Sequence, residues 1–112
     1  MEEILQEIIE LIKSTSDPAV LYDLLSHYHK NDIARSFEYL SPEELEEVYK
    51  AFNEQELSEI FSYLEDVKEY IEGLEVEQAA EIIELMASDD AVEVLEELDE
   101  EALISILKEP KN

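Results

Sequence analysis

An all-α fold, a superhelical stack of short helices, is what this 112-residue sequence predicts. Three observations carry that expectation. A four-residue apolar pattern returns about every 12 residues, helix-start signatures fall between its copies, and the chain holds only one Gly and three Pro. Turn-rich β folds and disordered linkers both need more of those two residues.

The elements follow in order. Leu5, Ile8, Ile9 and Ile12 are spaced i, i+3, i+4, i+7, which places them on one face of a helix. Asp17-Pro18 opens the next unit, whose face is Leu21, Leu24, Leu25 and Tyr28. Ile33, Ser36, Phe37 and Leu40 repeat the spacing with one polar member. Ser41-Pro42-Glu43-Glu44 reads as an N-cap, an N1 proline and a capping-box Glu, and Leu45, Val48, Tyr49 and Phe52 follow it. Asn53 with Glu56 repeats the box before Leu57, Ile60, Phe61 and Leu64. Asp66 is read as the cap for Val67, Tyr70, Ile71 and Leu74; then come Ala79, Ile82, Ile83 and Met86. Ser88 is read as the cap for Ala91, Val94, Leu95 and Leu98, and Asp99 for Leu103, Ile106 and Leu107, where Pro110 takes the fourth place.

That makes about nine units, whose first anchors lie 16, 12, 12, 12, 10, 12, 12 and 12 residues apart. The short step removes two residues before Val67, and the expectation is that the connecting turn absorbs the loss while the packed face stays whole. Helices of two to three turns are marginal alone and must stack to bury their faces, as solenoid repeats do. The caps and the repeat step interrupt any sustained heptad, which excludes a coiled coil. Residues 1–112 are therefore expected to form a single helical-repeat domain with atypical ends at Ile4, Ile104 and Pro110, the C-terminal face wanting a further element.

Hydrophobic residues make up 46% of the chain, enough for a core despite 32 carboxylates. The formal net charge is −25 against seven Lys and Arg. Such a surface repels phosphate backbones and anionic lipid heads and attracts cations or basic partners. With no Cys there are no disulfides, thiolate zinc sites or Cys nucleophiles. Met1-Glu2-Glu3-Ile4 lacks a basic n-region, and no apolar run approaches a spanning helix, so a soluble, cytoplasmic chain is expected.

No enzyme is expected. The Ser residues sit at caps or on helix faces without a Gly-rich elbow, and Gly73 alone makes no phosphate loop. His27 and His29 lack a third soft ligand for zinc; His29, just before Asn31-Asp32, is read as a capping or surface residue. Asp89, Glu93, Glu96 and Glu97 form one acidic ridge, with similar ridges at Glu56 and Glu59 and at Glu77, Glu81 and Glu84. Like charges one turn apart cost a helix roughly 0.2–0.5 kcal/mol per pair. A divalent cation would relieve that cost, and Mg²⁺, which takes oxygen ligands and keeps waters, suits the chemistry. A solvated face, with Asp89 and Asp90 complementing a helix N-terminus, is the other reading.

The stretches His29-Lys30-Asn31-Asp32-Ile33-Ala34, Ser41-Pro42-Glu43-Glu44-Leu45, Ala79-Ala80-Glu81-Ile82-Ile83 and Asp89-Asp90-Ala91-Val92-Glu93-Val94-Leu95-Glu96-Glu97-Leu98 resemble the N-terminal domain of MgtE-type magnesium transporters. The resemblance runs along essentially the whole chain. It implies a right-handed superhelix and a cytosolic gating sensor that precedes a pair of CBS domains, a connecting helix and a transmembrane pore. In that family Mg²⁺ held between the N and CBS domains keeps the assembly closed, and its loss lets acidic faces repel. The resemblance places interfacial Mg²⁺ ligands at Asp89 and Glu93, and at Glu59 further back in register. It further implies CBS domains of the same transporter as partners, weak Mg²⁺ binding, a monomeric isolated domain and a homodimeric full-length transporter, with neither nucleic-acid binding nor membrane insertion. Lys30 departs from the family's usual Pro after the His, and nothing in this sequence matches the CBS domains or the pore.

The rival is a stand-alone acidic interaction scaffold on the same architecture, binding a basic helix without an ion role. The flagellar rotor protein FliG uses related repeats, but its motor helix interleaves basic and acidic residues, which this Lys- and Arg-poor chain lacks. The architecture has a direct test: circular dichroism should show a mostly helical spectrum with a cooperative melt. A spectrum dominated by strand or coil would sink it.

Overall fold

The computed structural model describes residues 2–108. Pro110, which takes the fourth place in the last apolar set, lies outside the described residues. Among those residues every regular element is helical: α1 (Glu3–Ser14), α2 (Pro18–Leu25), α3 (Lys30–Ser36), a 3₁₀ turn (Phe37–Tyr39), α4 (Pro42–Ala51), α5 (Glu54–Phe61), α6 (Val67–Glu72), α7 (Val76–Leu85), α8 (Ser88–Glu97) and α9 (Glu100–Leu107). Each helix carries one of the nine apolar sets, so the all-α reading and the unit count hold.

The contacts divide the chain into two compact units, Met1–Leu64 and Glu65–Asn112. In the first, α1 packs on α3, α2 on α4 and α3 on α5. In the second, α6 packs on α8 and α7 on α9. Alternate helices are therefore the main packing partners within each unit, the step a stack of short helices repeats.

The repeat predicts the core almost residue for residue. Every buried hydrophobic side chain among the described residues is an anchor of the pattern, with Ala34 the one addition. The polar anchor Ser36 is fully buried, and its Oγ donates to the Ile33 carbonyl at 2.6 Å, so a small residue fills a crowded place with no orphan polar atom. Beside it, Phe37, Tyr49 and Phe61 meet edge to face with centroids 5.9–6.2 Å apart, an arrangement that aligns ring edges with ring faces. Leu107 breaks the pattern and is 67% exposed. It closes the last set on α9, and no described helix follows to cover it.

Three caps form as read. Asp17 accepts from the amides of Ala19 and Val20. Ser41 and Glu44 close a reciprocal capping box, Oγ to the Glu44 amide at 3.2 Å and Oε1 to the Ser41 amide at 2.8 Å. His29 caps α3, its Nδ1 accepting from the Asn31 amide at 2.9 Å. The box at Asn53 is only half made: Asn53 Oδ1 accepts from the Glu56 amide, while the Glu56 carboxylate turns to the Tyr22 hydroxyl. The remaining cap readings are corrected. Asp66 and Asp99 occupy N-cap positions without a side-chain cap bond, and Ser88 lies inside α8, whose N-cap is Ala87.

The two-residue deletion also falls elsewhere than expected. Other helices begin two or three residues before their first anchor, but α6 begins at the anchor itself, Val67. Its connector, residues 62–66, is not shortened. The loss comes from the first turn of α6, where Asp66 lacks extended cap geometry (φ −104°, ψ 54°) and starts no earlier turn. The packed face survives, with Val67 and Ile71 buried.

Urea unfolding should separate these roles. Phe61→Ala should cost about 3–5 kcal/mol, since it empties a closed aromatic cluster, and Ser41→Ala about 1 kcal/mol through the lost cap. Ser88→Ala and Leu107→Ala should each stay within about 0.5 kcal/mol, as surface changes do.

Candidate functional site

The chemistry of this chain lies in its carboxylates, and the helices sort them by what each one touches. On α5, Glu56 accepts from the Tyr22 hydroxyl at 2.9 Å, which holds the phenol above its ordinary titration range. Glu59 on the same helix is exposed and ion-paired, its Oε2 3.7 Å from Lys30 Nζ. Lys30 is the N1 residue of α3, the place that Pro takes in α2 and α4. Where those two helices start on a rigid proline, α3 starts on a side chain that reaches Glu59. Tyr28, His29, Lys30, Glu59, Ser62 and Tyr63 line a polar depression of about 430 Å³. His29 and Tyr63 meet there edge to face at 5.6 Å.

In the second unit, α8 carries the acidic ridge. Val94 is buried and Ala91 and Leu95 are half-buried, while Asp89, Glu93, Glu96 and Glu97 are all exposed. Burying the apolar face on its neighbours forces this outcome, because the two sets alternate around one helix. Among the described residues, Asp89, Glu93 and Glu96 have no ion pair or hydrogen bond, unlike Glu56 and Glu59. Asp89 lies in the first turn of α8, where Ala87 offers no side-chain cap, so a carboxylate there also complements the free amides. Of the α7 ridge, Glu77 and Glu84 are exposed and Glu81 half-buried.

Of the three residues read as metal ligands, the structure brings two together. Asp89 and Glu93 stand one turn apart on α8, and Glu59 lies on α5 in the other unit. Among the described residues no three His, Asp or Glu side chains cluster in a way that could hold a metal ion. Two exposed carboxylates on one helix offer Mg²⁺ hard oxygen donors of the right kind, and water or another surface must supply the rest. His27 and His29 join no such cluster, and His29 is occupied as a cap.

One pairing was hidden from sequence reasoning. Asp99, read as a cap, instead accepts from Lys68 Nζ at 3.1 Å. That hydrogen bond and the charge behind it hold the Asp99 carboxyl below, and the Lys68 ammonium above, their ordinary ranges. The two residues are 31 apart in sequence, so no local spacing announces them. In the first unit Arg35 joins Glu2 and Asp32 in the same way, lowering Glu2.

The fold and the charge thus define an acidic, all-helical domain that presents carboxylates on one face of a surface helix. The model of the MgtE intracellular N domain family matches residues 28–111, and the chain belongs to that family. Among solved structures, the crystal structure of the soluble part of a magnesium transporter shares its fold, with a TM-score of 0.81 over 94% of this chain at 21% identity. The chain spans 42% of that structure's length. No curated protein matches the chain. Among the described residues no helix is long and apolar enough to cross a membrane.

The Lys68–Asp99 pair has a definite pH signature. Asp99 is lowered, so its contribution is present above the ordinary carboxylate value and is lost as pH falls through the lowered one; Lys68 is raised, so its share is lost only as pH rises through the raised value. A carboxyl-detected NMR titration should find Asp99 below the usual range, and Lys68→Met should move its midpoint up toward that range.

Proposed function

We propose that this chain is a Mg²⁺-sensing regulatory domain of a magnesium transporter, non-catalytic and on the cytoplasmic side. Residues 1–112 then act as one domain, a reading supported by a family match that spans both compact units. The observation that carries the sensing role is the α8 ridge. Asp89 and Glu93 are exposed, one turn apart and, among the described residues, without an ion pair or side-chain hydrogen bond, on a chain of net charge −25. Their mutual repulsion is a store of unfavourable energy that a divalent ion relieves.

The site works by halves. Asp89 and Glu93 bind a hydrated Mg²⁺ weakly, and a facing CBS domain supplies the remaining oxygen ligands. An ion bound better in the docked arrangement shifts the population toward it, and loss of the ion releases two acidic surfaces to repel. Glu59 is a second contributor on this reading, and there Mg²⁺ must displace the Lys30 ammonium. The isolated chain is monomeric on this account, and the transporter it serves is a homodimer.

Two measurements bear on this. For the isolated chain, MgCl₂ and NaCl at matched ionic strength should raise the melting temperature nearly alike, because screening of self-repulsion dominates both. In a full-length transporter carrying this domain, Asp89→Asn with Glu93→Gln should move Mg²⁺-dependent closure to about tenfold higher Mg²⁺, an ordinary allosteric coupling. Closure at unchanged Mg²⁺ would remove the site assignment.

A further inference from the structure

The second unit contains a groove of about 320 Å³ bordered by α6, α7 and α9, away from the α8 ridge residues. Its floor is apolar: Leu74 and Ala102 are half-exposed and Val76 exposed, over the buried Ile71, Ala79 and Ile106. Its polar border is acidic, formed by Glu72, Asp99 and Glu101, and no Lys or Arg is among its lining residues. Lys68 is tied to Asp99, which leaves Glu72 and Glu101 to give the border its net negative charge.

An apolar floor with a border of one charge sign selects its occupant. An acidic or neutral partner would strip water from Glu72 and Glu101 and return no pairing, which costs more than an apolar contact recovers. A second copy of this chain brings the same negative surface, and nucleic acid or an anionic membrane is repelled outright. A helix with one apolar face flanked by Lys or Arg satisfies both parts at once: its i, i+3, i+4 side chains fill the floor and its charges meet the border. We propose that the α6–α7–α9 groove docks a basic amphipathic helix of a partner protein. The inference goes beyond the Mg²⁺ reading and needs no metal.

The test uses the whole chain with labelled methyl groups and two synthetic peptides of equal length, a Leu/Lys amphipathic helix and its Leu/Glu counterpart. The Leu/Lys peptide should shift the methyl signals of Ile71, Ala79, Ala102 and Ile106, and the Leu/Glu peptide should leave them in place. Ala102→Arg, which blocks the groove mouth, should weaken binding by about tenfold or more, the scale of an interface hot spot. Gln6→Arg makes the same change in net charge on exposed α1 and should leave binding near its original strength. Glu72→Gln with Glu101→Gln keeps the floor intact and should weaken the Leu/Lys peptide several-fold, with circular dichroism showing each variant helical. Shifts spread over both units, equal losses from Ala102→Arg and Gln6→Arg, or equal binding of both peptides would each overturn the proposal. None of these outcomes depends on Asp89 or Glu93, so the two functional readings fail separately.

Discussion

Everything in this molecule depends on burying a four-residue apolar face on helices too short to persist alone. A helix of six to ten residues gains little from its own hydrogen bonds against the cost of nucleation. Its stability comes from the neighbour that covers its face. That is why alternate helices pack together within each unit, and why a deletion is accommodated by removing a helical turn at α6 rather than by moving an anchor. The same constraint explains Ser36: the position must be filled and sealed, so a polar side chain is tolerated only with its hydroxyl returned to the Ile33 carbonyl.

Committing one face of each helix to the core leaves the other to carry the charge. With 32 acidic and seven basic side chains, most carboxylates cannot be neutralised by pairing. The few cations settle where the fold brings them near an acid: Arg35 against Glu2, Lys30 against Glu59, Lys68 against Asp99. These are exposed pairs of small individual worth. Their importance lies in which carboxylates they leave unpaired. Among the described residues, Asp89, Glu93 and Glu96 on α8 are left so.

The apolar groove of the second unit follows from the same economy of short helices. Leu74 and Ala102 are only half-covered where they line the groove bordered by α6, α7 and α9. A surface with this floor and an acidic border differs from the α8 ridge, where exposed carboxylates predominate.

The apolar spacing alone determined the all-helical class, the nine units and nearly every buried residue, because a helix's side-chain period converts sequence spacing directly into a face. It also revealed Asp17, Ser41 and His29 as helix starters, since capping acts over two or three residues. Its reach ended where interactions cross between helices. Whether Asp99 caps α9 or holds Lys68, whether Glu56 completes a box or takes the Tyr22 hydroxyl, and where α6 begins were decided by tertiary packing. The first two choices each set a local partner against one more than thirty residues away, and only the folded chain places the distant one within reach. The metal reading divides along the same line. Sequence put Asp89 and Glu93 one turn apart, and tertiary structure decided that they stay exposed and, among the described residues, unpaired while Glu59 is held by Lys30.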